Sequence, residues 1–138
     1  MSLPANNAKG LFGGLVGSDV IVKDFTAKGT LVAGRTVKYD TSQSGEARST
    51  CVVEGGAGPV CGIALEAAVS GDRVRCLTHG YITGVLTDGT VTSGTMLVGG
   101  ASGALAVYAG TEAYGACGTS LEADTSTTSG GIVFRANA

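Results

Sequence analysis

The sequence predicts an all-β fold: a small sandwich-like or barrel-like β domain built from two repeated β modules and preceded by an extended N-terminal arm. Three observations support this prediction. Apolar runs are short and separated by turn-forming residues, no segment has a 3.6-residue apolar period, and glycine occupies 24 of the 138 positions. Many short strands punctuated by glycine turns are typical of β-sandwiches and barrels.

Part of the chain occurs twice. The segment Cys61–Ala67 returns as Cys117–Ala123, a displacement of 117 − 61 = 56 residues. The flanking segments also correspond, Ala33–Val37 with Ser93–Leu97 and Ser70–Cys76 with Ser129–Arg135. We place the two copies at about residues 30–78 and 90–137, within a single domain that covers residues 19–138. Two copies are too few for a solenoid, so a duplicated module inside one domain is the better interpretation.

The predicted strands follow one another closely from residue 20. Arg35–Tyr39 alternates polar and apolar residues, which indicates a strand with one wet face. Val60–Leu65 is a nearly continuous apolar run and should be a central strand buried on both faces. Asp88-Gly89 predicts a tight turn. The other predicted strands are Val20–Phe25, Thr30–Val32, Ser49–Val53, Arg73–Leu77, Tyr81–Leu86, Met96–Val98, Ala104–Tyr108, Ala116–Leu121 and Ile132–Phe134, with Thr78-His79-Gly80 as a turn between two of them.

Residues 1–18 are predicted to form the arm. They have no amphipathic period and are rich in Asn, Ala and Gly. We expect the arm to order against a partner by adding hydrogen bonds to an exposed sheet edge, and the alternative is a disordered tail. The candidate anchors for a partner are the apolar residues and the proline of this segment: Leu3, Pro4, Leu11, Phe12 and Leu15.

Composition narrows the choice of partners. Only 14% of the residues are charged, which is low for a free-standing soluble monomer, so a surface largely covered by partners is one interpretation and a bland surface is the other. The net charge of −2 is spread without a basic stripe, so nucleic acid is not expected as a direct ligand. No secretory or membrane-spanning segment is recognisable, which predicts synthesis and folding in a cytosol and no membrane partner.

The residues that could carry chemistry do not form a recognisable constellation. His79 is the single histidine, and Cys51, Cys61, Cys76 and Cys117 lack the spacing of a zinc site. Cytosolic folding favours four buried thiols, and a Cys51–Cys61 bridge in an oxidising medium is the alternative. Glu66 and Glu122 occupy equivalent places in the repeat, so we expect them to accept hydrogen bonds and not to act as a catalytic dyad. The sequence therefore predicts a non-enzyme with no cofactor and no metal site.

The segment Val60–Cys76, followed by Gly80-Tyr81-Ile82, resembles a segment of the capsid decoration, or cement, proteins of tailed phages. The similarity rests on Gly62-Ile63-Ala64-Leu65-Glu66-Ala67-Ala68 followed by Gly71-Asp72-Arg73-Val74-Arg75, and covers about 25 residues closely. This motif describes a β-turn-β unit and not an active site. The second copy of the module departs from the simplest members of the family.

The resemblance implies a structural virion protein that binds the outer surface of a phage capsid and bridges major capsid subunits. It implies the major capsid protein as partner and homo-oligomers, most often trimers, over three-fold points of the shell. The capsid contact would then fall to the arm anchors Leu3, Pro4, Leu11, Phe12 and Leu15. The alternatives are another virion surface component, such as a head-fibre or tail subunit, or a receptor- or glycan-binding module. Four tyrosines and no tryptophan make a sugar platform a weak case.

Overall fold

The structure of the chain is a computed structural model, and it describes residues 20–123, 128–129 and 131–138. Across these residues the chain forms nine strands and two short 3-10 helices, which confirms the predicted all-β class. The strands are β1 (Ile21–Ala27), β2 (Thr36–Tyr39), β3 (Cys51–Glu54), β4 (Gly62–Ala64), β5 (Arg73–Ile82), β6 (Met96–Gly99), β7 (Leu105–Val107), β8 (Gly118–Ser120) and β9 (Ile132–Arg135). The 3-10 helices are Gly45–Ser49 and Ala101–Gly103. The predicted arm, residues 1–18, lies outside the described residues.

The first five strands close into a ring. Strand β2 pairs with β3 and β4, and β4 pairs with β5, all antiparallel. Strand β1 then closes the ring by pairing with β5 in antiparallel and with β3 in parallel. A closed ring leaves no free sheet edge, so the first copy is a small five-stranded barrel.

The second copy repeats this pairing. Strand β6 pairs with β7 and β8, and β8 pairs with β9, as β2 pairs with β3 and β4 and β4 with β5. The backbone turns agree as well, because the amide of Gly34 donates to Ala64 at 2.9 Å and that of Gly94 donates to Ser120 at 2.7 Å. In the second copy, two isolated β-bridges stand where β1 pairs in the first. Leu86 pairs with Thr128 in antiparallel, and Thr87 pairs with Leu105 in parallel. The duplicated module of the sequence is therefore a duplicated strand topology.

The two copies meet along β5 and β9. These strands pair antiparallel with His79 opposite Arg135, and 135 − 79 = 56, the displacement of the repeat. Each copy thus presents the same strand position to the other, as in a local two-fold arrangement. The register of the strands also corrects one sequence correspondence: Ala64 pairs with Cys76 and Ser120 with Ile132, so Ile132, and not Arg135, is the counterpart of Cys76.

Two clusters of buried side chains form the core. The first fills the interior of the five-stranded ring, with Phe25, Val37, Val52, Val74 and Cys76 among its members. The second contains the inward residues of the second copy and also residues that point out of the ring, such as Ile63 and Leu77. The end of β6 packs closely against the first copy, because a Cβ at Gly99 would lie 2.6 Å from the carbonyl oxygen of Gly58.

Strand β5 overturns one detail of the sequence prediction. Thr78-His79-Gly80 is not a turn between two strands, because β5 runs unbroken from Arg73 to Ile82. Gly80 has a φ of 141°, which favours glycine, and it faces Phe134 in the ladder with β9. The glycine that suggested a turn instead lets one long strand pass from the first copy into the second.

Candidate docking surface

A groove of about 270 Å³ lies on the outer face of the second copy. We call it the β8 groove, because the residues of β8 form its floor. Its lining residues are His79, Met96, Ala116, Cys117, Gly118, Thr119, Val133 and Arg135.

Strand register places these side chains together. Met96 faces Thr119 across β6 and β8, and Thr119 faces Val133 across β8 and β9. Opposite residues of an antiparallel ladder project from the same face, so these three side chains form a row across the sheet. The alternate residues of β9, Ile132 and Phe134, are fully buried in the core behind the row.

The equivalent face of the first copy is closed. With the displacement of 56 residues, Ala116, Thr119 and Val133 correspond to Val60, Ile63 and Leu77. Each residue of the first copy is the larger of its pair, and all three are at most 2% exposed. In the second copy Val133 is 41% exposed and its neighbour Met96 is 50% exposed. Smaller side chains at three equivalent positions therefore accompany an open groove in one copy and a buried face in the other.

Arg135 is the charged residue of the groove lining and lies at one end of the groove, opposite His79. Arg135 takes part in none of the three ion pairs among the described residues, which all lie in the first copy: Arg35 with Glu54, Arg73 with Asp24 and Arg75 with Glu66. No carboxylate lines the groove. Its character is therefore apolar along the floor, with positive charge at one end.

The groove is small, and its lining carries little chemistry. Its volume lies below the roughly 300–1,000 Å³ of typical small-molecule sites. Burial raises the pKa of the Cys117 thiol in its floor to about 12, so this sulfur stays protonated and is a poor nucleophile at neutral pH. Among the described residues there is no cluster of histidine, cysteine, aspartate and glutamate that could hold a metal ion.

The remaining residues singled out in the sequence lie in simple structural roles. All four cysteines are free and buried, so no Cys51–Cys61 bridge is formed. The Glu66 carboxylate accepts a hydrogen bond from the Arg75 amide at 2.9 Å, which lowers the pKa of Glu66. Its counterpart in the repeat, Glu122, lies just after β8 in the second copy, as Glu66 lies just after β4 in the first.

The predicted anchors Leu3, Pro4, Leu11, Phe12 and Leu15 all lie outside the described residues, and their role stays a prediction. The groove itself was missed in the sequence. A signal existed in the repeat, since Val60, Ile63 and Leu77 of the first copy correspond to the smaller residues Ala116, Thr119 and Val133 of the second. The sequence comparison aligned Cys76 with Arg135, three residues beyond its true counterpart Ile132. This error hid the equivalence of Leu77 and Val133 in the two copies.

Comparison with solved structures shows a related fold. The chain is similar to the crystal structure of the head fiber gp8.5 N base in bacteriophage phi29, with a TM-score of 0.59 and 15% sequence identity. The match covers 87% of this chain and 98% of that structure. No family model matches the sequence. No curated protein matches it either. Within the part of the chain that the structure describes, no helix has the length and apolar character needed to cross a membrane.

Proposed function

We propose that this chain is a structural protein of a phage virion that binds the outer surface of the capsid and stabilises the shell by bridging major capsid subunits. The observation that carries the proposal is the similarity to the phi29 head fiber base, which extends over nearly the whole of both chains. The resemblance of Val60–Cys76 to capsid decoration proteins is a separate line of support from the sequence.

The physical properties of the molecule suit this role. A protein that binds the capsid shell needs a rigid body. Here the closed barrel of the first copy is joined to the second copy by the β5–β9 ladder. Low charge favours broad contact with neighbours, and only 14% of the residues are charged. Several weak contacts to adjacent subunits, multiplied in a trimer, give high avidity without a tight single site.

In this proposal the arm makes the capsid contact through Leu3, Pro4, Leu11, Phe12 and Leu15. The major capsid protein is the partner, and nucleic acid, membrane, cofactor and catalysis have no part. We expect the protein to act from the outside of the assembled particle after its synthesis in the host cytoplasm.

A second candidate function is the base of a head fibre. The similarity to a head fiber base favours this alternative over a tail subunit or a glycan-binding module. A fibre base would also bind the shell, but it would carry a further structure away from the surface. Imaging of the particle separates the two, because a decoration protein covers the repeated three-fold points and a fibre base carries a projection.

The direct test is co-sedimentation with DNA-filled heads that lack this protein. We expect wild-type protein to pellet with the heads and to raise the temperature at which they release DNA. A variant that lacks residues 2–15 should remain folded and stay in the supernatant. A matched control, Val69→Ser, changes an exposed apolar residue of the barrel and should pellet like wild type. Wild-type protein that fails to pellet would contradict the proposed function, and undiminished pelleting of the deletion variant would contradict the role of the arm.

A further inference from the structure

The β8 groove is an apolar surface whose counterpart in the first copy is covered. Met96 and Val133 are 50% and 41% exposed, whereas their counterparts Thr36 and Leu77 are 0% and 2% exposed. Both faces come from the same repeated module. In the first copy this outer face is buried against other parts of the chain. Its second version lacks a partner among the described residues.

The described chain begins beside this groove. In the ladder between β1 and β5, Ile21 faces His79, which also lines the groove. The hydroxyl of Thr78 donates to the carbonyl oxygen of Ile21 at 3.1 Å and fixes this point of the chain. The first described residues, Val20 and Ile21, therefore lie near the end of the groove where His79 faces Arg135.

The sequence just before this point matches the groove in character. Residues 10–16 read Gly-Leu-Phe-Gly-Gly-Leu-Val, with four large apolar side chains, three glycines and no charge. An extended chain advances about 3.3 Å per residue, so Phe12 is within about 30 Å of Ile21 and reaches any part of the groove. The three glycines, at positions 10, 13 and 14, carry no side chain that would hold the backbone away from a sheet face.

We propose that residues 10–16 bind in the β8 groove of their own chain, with Phe12 against Met96 and Val133. The segment covers the open packing face of the second copy and removes its own apolar side chains from water. This arrangement belongs to the free protein, before it meets any partner, and does not depend on the proposed function.

Reach alone does not select the groove, because 19 extended residues span about 60 Å and extend over the whole domain. A test must therefore compare the groove with another exposed apolar site of the same chain. Val69 is 58% exposed and lies in the first copy, so it is a matched control.

The test is disulfide trapping at low protein concentration. The double variant Phe12→Cys, Met96→Cys is oxidised mildly and compared with Phe12→Cys, Val69→Cys, and bridges are identified by peptide mass spectrometry. The native thiols are buried and should not compete. We expect at least a tenfold excess of the intrachain bridge to position 96 over the bridge to position 69. Leu11→Cys and Leu15→Cys, each paired with Met96→Cys, cover the register of the segment.

The other outcomes overturn the proposal. Equal bridging to positions 96 and 69 would show an arm without a preferred place. Bridges that form only between chains would make a second copy the occupant of the groove. Absence of a bridge from all three arm positions would show that residues 10–16 do not lie there.

A second readout needs no new cysteine. Met1 and Met96 are the only methionines, so Met96 reports on the groove. Deletion of residues 2–17 should increase the rate of Met96 oxidation by peroxide several-fold, while the buried native thiols remain protected. An unchanged oxidation rate would contradict binding of the segment over Met96.

Discussion

Among the described residues, the hydroxyl of Thr36 is buried without a hydrogen-bond partner. Burial of an unpaired hydroxyl costs about 1–3 kcal/mol of stability. We therefore expect Thr36→Val, which keeps the shape and removes the oxygen, to raise the free energy of unfolding by about 1 kcal/mol. Thr78→Val is the matched control, since its hydroxyl donates to Ile21 at 3.1 Å, and it should lower stability by about 1 kcal/mol. Urea unfolding of both variants measures the difference, and equal effects of the same sign would contradict this account.

The buried thiols predict a characteristic pH dependence. Burial raises the pKa values of Cys61, Cys76 and Cys117 to about 12. In the unfolded chain a cysteine ionises near pH 8.5, so unfolding releases protons above that pH. Stability should therefore be unaffected by these groups below about pH 8.5 and fall as the pH rises from there towards 12.

Thiol titration tests the same three residues directly. At pH 8 the folded protein should leave them unreactive towards a disulfide reagent, and in denaturant all four cysteines of the chain should react. Rapid reaction of Cys61, Cys76 or Cys117 in the folded protein would contradict their protected state.

At the scale of elements, the turn that precedes β2 and β6 occurs twice and offers an internal comparison. Gly34 and Gly94 have φ values of 86° and 83°, so alanine at either position is strained by about 1–2 kcal/mol. A Cβ at Gly34 would also lie 2.8 Å from the carbonyl oxygen of Gly84, whereas one at Gly94 meets nothing within 4 Å. We expect Gly34→Ala to be more destabilising than Gly94→Ala by about 1–3 kcal/mol. Thermal unfolding of the two variants measures this, and equal losses would show that the turn at Gly34 can move away from Gly84.

The strands show what the sequence could predict and what it could not. Local pattern predicted the all-β class, the repeat and most strand positions, because alternation and glycine turns are properties of neighbouring residues. It did not predict that β1 pairs in parallel with β3, since such pairings join segments that are distant along the chain. The sequence analysis placed His79 in a turn because a glycine such as Gly80 usually indicates one. In the structure Gly80 lies inside β5, and sequence alone does not distinguish the two cases.

On the scale of the whole molecule, the two copies share a topology and differ in the use of their outer faces. Ile63 and Leu77 make the first copy's face part of the core, and Thr119 and Val133 leave the second copy's face accessible. A duplicated module can thus keep one copy for stability and free the other for binding. The groove follows from this divergence and could be found only with the correct strand register.

The arm connects the two proposals and gives a final prediction. If residues 10–16 lie in the β8 groove of the free protein, Leu11, Phe12 and Leu15 must leave the groove before they contact a capsid. A bridge between Phe12→Cys and Met96→Cys would hold them in place, so the oxidised double variant should fail to co-sediment with phage heads. Reduction of the bridge should restore binding to the level of the Phe12→Cys single variant, and the reduced form is the matched control because its sequence is identical. Equal binding of the oxidised and reduced forms would show that the capsid contact does not use this part of the arm.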